Sequence, residues 1–116
     1  TLLGKFEKIH KNVEKGVLWL KHHKGEVLGG GGLTLAEIAY DESTHVATFI
    51  EKDNNNDYFV QFIPDDKNNR YNIYVNDKDC GALPYEIIKN CSEEKIAEKF
   101  ADARKSTIEE YKRRHQ

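Results

Sequence analysis

Apolar positions recur every third or fourth residue near both ends of the chain and every second residue between them. Leu2, Phe6, Ile9 and Val13 share one helical face and leave Lys5, Glu7, Lys8 and Lys11 on the other. Gly16 is placed to end that helix, because glycine accepts the left-handed conformation of a C-terminal cap. Val17, Leu18, Trp19 and Leu20 then form an unbroken apolar run, which predicts a strand buried on both faces. Lys21 to Glu26 reads as a polar strand end and turn.

Beyond the run Gly29–Gly32, the stretch LTLAEIAYDES carries two signals. Thr34 and Glu37 have capping-box spacing, whereas Ile38, Tyr40 and the segment length suit a strand, which is the reading taken. Asp41 to Ser43 is a turn. Val46, Thr48 and Ile50 alternate with Ala47 and Phe49, predicting the next strand. Asp53 to Asp57 is a turn, since Asn and Asp tolerate left-handed backbone and bond to it locally. Strands follow at Tyr58–Ile63 and Arg70–Val75, separated by the turn Pro64–Asn69. Asn76 to Gly81 turns again, and Tyr85–Ile88 reads as a last short strand.

The longest element closes the chain. Ile96, Phe100, Ala103, Thr107, Ile108 and Tyr111 line one side of a helix that starts near Ser92. Ser92 or Asn90 caps it, Glu93 and Glu94 sit in its first turn, and Lys112, Arg113 and Arg114 in its last. Each end complements the helix dipole. Strands joined by short polar turns imply an antiparallel meander, and the terminal helices supply its cover. The expectation is one α+β domain over residues 1–116: an N-terminal helix, a meander of about five to seven strands and a long C-terminal helix packed on the sheet.

Composition narrows the chemistry. Eighteen basic and 20 acidic residues leave a net charge of −2, so no global basic field favours nucleic acid. Cys80 and Cys91 are expected as reduced thiols of a cytoplasmic protein. No apolar run approaches the roughly 20 residues that span a bilayer. His22 and His23 are adjacent and would point to opposite faces of a strand, and neither cysteine has a partner at CxxC spacing, so no metal site is expected. No G-x-S-x-G elbow surrounds a serine, and Asp77 to Gly81 lacks the spacing of a calcium loop. No catalytic residue and no cofactor are assigned. An enzyme using Cys80 or Cys91 with a histidine is the remaining catalytic reading.

Gly29–Gly32 lacks the lysine of a phosphate-binding loop and the βαβ setting of a dinucleotide site. Pure glycine carries the largest ordering cost and packs nothing. Against a charged, asparagine-rich background, the run reads as an engineered linker in place of a longer loop. Lys21, His22, His23 and Lys24 form a compact basic cluster beside Trp19 and are the candidate ligand-binding residues, suited to an anionic headgroup or an acidic peptide. The basic end Lys112–His115 reads as dipole complementation and a solubilising terminus.

Two stretches resemble the pleckstrin-homology-like superfold. GVLWLKHHKGE, Gly16 to Glu26, is similar to its opening strand and first turn, where basic residues often lie. CSEEKIAEKFADARKSTIEEY, Cys91 to Tyr111, resembles its closing helix, as in Ran-binding and EVH1 relatives. Phe100 stands nearest the place of the helix tryptophan common in pleckstrin-homology domains. Lys21 and Lys24 match only part of the phosphoinositide signature. Polo-box domains, also strands followed by a helix, are a second resemblance. The resemblance implies a non-catalytic, cytoplasmic adaptor that recognises a partner protein or peptide beside the closing helix or at a strand edge. Its alternative is a peripheral membrane module reading an anionic lipid through the basic cluster.

Overall fold

The computed structural model describes residues 2–23 and 33–115, so Lys24 and Gly29–Gly32 lie outside the described residues. Helix α1 spans Leu2–His22 and is followed by strands β1 (Thr34–Asp41), β2 (Val46–Asp53) and β3 (Asn56–Asp65). A 3-10 turn at Asp66–Asn68 leads to β4 (Arg70–Val75) and β5 (Lys78–Pro84). Helices α2 (Tyr85–Ile88) and α3 (Glu93–Arg114) complete the chain. The strands form one antiparallel meander in the order β1-β2-β3-β4-β5. The expected α+β architecture, with its long closing helix on the sheet, is therefore the observed one. No described helix is long and apolar enough to cross a membrane.

Alternation decides which sheet face is covered. Ala47, Phe49 and Glu51 of β2, Tyr58, Val60 and Phe62 of β3, and Tyr71, Ile73 and Val75 of β4 are buried on one side. Phe100 of α3 lies over this face, with its ring edge-on to Phe62 at 4.6 Å and to Tyr71 at 6.1 Å. On the other side, Val46, Thr48, Ile50, Ile63 and Tyr74 are half-buried and Phe59 is exposed. In β1 a bulge between Leu35 and Glu37 puts buried Leu35 and Ile38 three residues apart, and the segment is the strand expected despite its capping-box spacing.

Three local expectations are corrected. The first helix does not end at Gly16, and Val17–Leu20 is no strand: α1 runs on through both. Val13, Val17 and Leu20 are buried at helical spacing, while Leu18 is exposed, so the unbroken apolar run concealed the period. Gly16 is buried where α1 meets α3. A Cβ there would lie 2.7 Å from Ile96 Cγ2 and 3.0 Å from its Cβ, so glycine is required for close approach rather than for a turn. Second, Asn76–Gly81 is a turn only at Asn76 and Asp77, after which β5 pairs with β4. Third, Tyr85–Ile88 is a helical turn behind Pro84, burying Tyr85 and Ile88 three residues apart. The asparagine-rich turns do behave as their composition predicts: Asn54, Asn69, Asn76, Asp77 and Asn90 all have positive φ.

Candidate functional site

Of the basic cluster, the described residues Lys21 to His23 sit at a helix end instead of a strand end. Lys21 and His22 are exposed in the last turn of α1, where the Lys21 charge complements the carbonyl end of the helix. His23 is tied back: its Nδ1 lies 2.7 Å from the Trp19 carbonyl oxygen and its ring stacks on the indole at 4.2 Å. Cys80 lies on β5 and Cys91 between α2 and α3, both half-buried. The Cys91 thiol donates to the Ile87 carbonyl at 3.3 Å. Neither thiol is hydrogen-bonded to a histidine, and no three His, Cys, Asp or Glu converge on a metal position, among the described residues.

A buried polar cluster joins α1 to the sheet. His10, on the sheet-facing side of α1, is 3 % exposed. Its Nδ1 is 2.7 Å from the Tyr71 hydroxyl and its Nε2 is 3.4 Å from Asp66 Oδ1. The Tyr85 hydroxyl donates to the same Asp66 oxygen at 2.6 Å. His45, held at φ 60° after the β1–β2 turn, stacks on His10 at 4.3 Å with 5° between the planes. The Tyr40 hydroxyl meets His45 Nδ1 at 3.0 Å. The direction of the His10–Tyr71 hydrogen bond depends on the ring tautomer, and His10 Nε2 is buried with no hydrogen-bond partner among the described residues. Burial pushes the imidazole pKa of His10 below its ordinary value, His45 adds to this, and Asp66 opposes it. Burial likewise raises the Tyr71 and Tyr85 hydroxyls, so both tyrosines keep their protons. The cluster braces α1, β4 and α2 around buried His10, with Asp66 exposed at its rim.

An open site lies beside the end of the closing helix. A groove of about 500 Å³ is lined by Asp53, Tyr58, Asn76, Tyr111, Lys112 and His115, among others. Tyr58 points inward from β3, and Tyr111 lies on the sheet-facing side of α3. Their rings meet edge to face at 6.0 Å and 83°. The Asn76 side-chain amide donates to the Tyr111 hydroxyl at 3.4 Å. The Lys112 ammonium is ion-paired to Asp53 and sits 5.5 Å from the Tyr58 ring centroid. Its hydrogen bond to Asp53 raises the lysine pKa. Arg113 and Arg114 instead pair with Glu110 on their own helix. Of the three basic residues in the last turn, Lys112 is the one that turns to the sheet, a role beyond the dipole complementation expected from sequence.

Sequence reasoning missed this groove because its parts are remote in the chain. Lys112 and Asp53 are 59 residues apart. The available signal was the strand alternation that turns Tyr58 inward and the helical stripe that ends at Tyr111. Comparison with protein-family models, curated proteins and solved structures finds no match to this chain.

Proposed function

We propose that the chain is a non-catalytic interaction domain that recognises a partner protein or peptide in the groove between the end of α3 and the turns of the sheet. The observation that carries this reading is the groove itself, where the Tyr111 ring and the Asp53 carboxylate line a hollow beside the closing helix with Tyr58 buried at its floor. Tyrosine offers large contact area with little conformational freedom to lose, which is why it is enriched at binding surfaces. The pleckstrin-homology-like resemblance is the analogy behind the proposal, supported by the order of meander then helix. Fold analogy alone assigns no partner.

Selection of short peptides from a displayed library tests the reading. Selected peptides should lose binding on Tyr111→Ala and keep it on Phe59→Ser, which alters the opposite sheet face. Failure to select any peptide sensitive to Tyr111→Ala would reject the groove.

Exposure of Lys21 and His22 beside Trp19 favours a second reading, a peripheral membrane module for anionic lipid headgroups. Co-sedimentation with anionic vesicles that falls with salt and is lost in Lys21→Glu/Lys24→Glu would put that reading first.

A further inference from the structure

The occupant of the groove is already represented in the structure by one of the protein's own side chains. Resting on the interaction reading above, we propose that the groove takes a lysine ammonium or arginine guanidinium from a basic segment of a partner protein. Lys112 holds that position as an internal stand-in, which the partner's cation displaces.

Four features converge on a cation. The Tyr58 ring presents its face to the Lys112 ammonium at 5.5 Å, and an aromatic face attracts positive charge. Tyr111 stands nearly perpendicular to Tyr58, forming a second wall. Asp53, whose side chain is 19 % exposed, supplies the counter-charge. Glu109 adds its charge from α3.

The stand-in is removable. The Lys112 side chain is 34 % exposed and hangs on a flexible four-carbon stem. A partner's cation reproduces its ion pair and ring contact while freeing that stem. Competition by Lys112 then weakens binding by the fraction of time the groove is self-occupied. The same competition excludes isolated cations, so a partner succeeds only when neighbouring residues also engage Asn76 and His115 on the groove wall.

The test is an NMR titration of the full chain with two blocked tripeptides, acetyl-Gly-Lys-Gly-amide and its Nε-acetyl-lysine counterpart. The lysine peptide should shift resonances of Tyr58, Tyr111 and Asn76, and the acetylated one should not. Lys112→Met should bind the lysine peptide about tenfold more tightly if Lys112 fills the site about nine-tenths of the time. Lys112→Met/Asp53→Asn should lose the gain. Should Lys112→Met unfold, Lys112→Gln, which retains a donor for Asp53, serves in its place. Equal responses to the two peptides, or no response in either folded Lys112 variant, overturn the proposal. A library peptide that is sensitive to Tyr111→Ala but has no basic residue would sink the cation inference and leave the interaction reading standing.

Discussion

Arg104 of α3 faces Glu51 of β2 across 3.5 Å inside the core, with both side chains almost wholly shielded from water. The guanidinium also stacks 4.5 Å above the Phe49 ring, and its Nε donates to the Phe100 carbonyl at 3.3 Å. The pair is close enough for strong Coulomb attraction, yet Glu51 Oε2 and both terminal nitrogens of Arg104 have no hydrogen-bond partner among the described residues. Desolvation raises the Glu51 carboxyl pKa and lowers that of Arg104, and each charge partly offsets the effect on the other.

Removing one partner should therefore cost far more than removing both. Arg104→Met or Glu51→Leu alone leaves an uncompensated buried charge and should destabilise by about 3–5 kcal/mol. The double variant Glu51→Leu/Arg104→Met should be near wild type or more stable by about 1–4 kcal/mol. Urea denaturation of the four proteins closes the cycle. A double variant that loses the sum of the two single losses would show that the pair is not coupled.

Gly16→Ala sets two effects against each other. Alanine is favoured in a helix interior by about 1 kcal/mol. The added methyl, however, falls at 2.7 Å from a side chain that is itself fully buried. Overpacking of this kind costs about 1–3 kcal/mol, so the variant should be less stable. Gly16→Ala in an Ile96→Ala background should cost nothing or gain stability, as measured by thermal melting. An equal loss in both backgrounds would remove Ile96 as the cause.

This glycine also marks the limit of what the sequence discloses. The closing helix, the three central strands and the asparagine turns are legible because each rests on a local period or a local backbone preference. Gly16 is misread because its reason, Ile96, lies on another element. Tyr85–Ile88 is misread because four apolar-rich residues carry no period long enough to separate a strand from one helical turn. The basic cluster Lys21–Lys24 is visible as charge. The pairing of Tyr58 with Tyr111 depends on how α3 lies across the sheet and has no local trace.

Acid should weaken the fold through His10. Its folded pKa lies below the unfolded value of about 6.5, because burial and His45 disfavour its charge more than Asp66 favours it. The unfolded chain then binds the proton first, and stability rises with pH in that interval. The contribution is fully present above about pH 6.5 and is lost as pH falls through the lower folded pKa. The groups facing His10 are His45, Asp66, Tyr71 and Tyr85, and Glu14 and Glu42 stand near His45. The Glu14 carboxyl pKa is raised, chiefly by its hydrogen bond to Glu42. Denaturation midpoints from pH 5 to 8 should slope upward for the wild type and flatten in His10→Gln. An unchanged slope in that variant would assign the effect elsewhere.

Asn76 joins turn geometry to the groove. With Asp77 it forms a two-residue hairpin turn in which both residues have positive φ, as the favoured hairpin turn requires. Its side-chain oxygen accepts the Phe59 backbone N–H at 2.9 Å, and its amide reaches the Tyr111 hydroxyl. Asn76→Ala loses these bonds and strains the backbone, so it should destabilise by about 1–3 kcal/mol. Asn76→Gly keeps the backbone conformation and loses only the bonds, so it should be the milder change. In both variants the Tyr111 ring should show altered NMR shifts, because its hydroxyl loses its partner. Equal stability losses in the two variants would attribute the cost to the hydrogen bonds, and an unmoved Tyr111 ring would detach the turn from the groove.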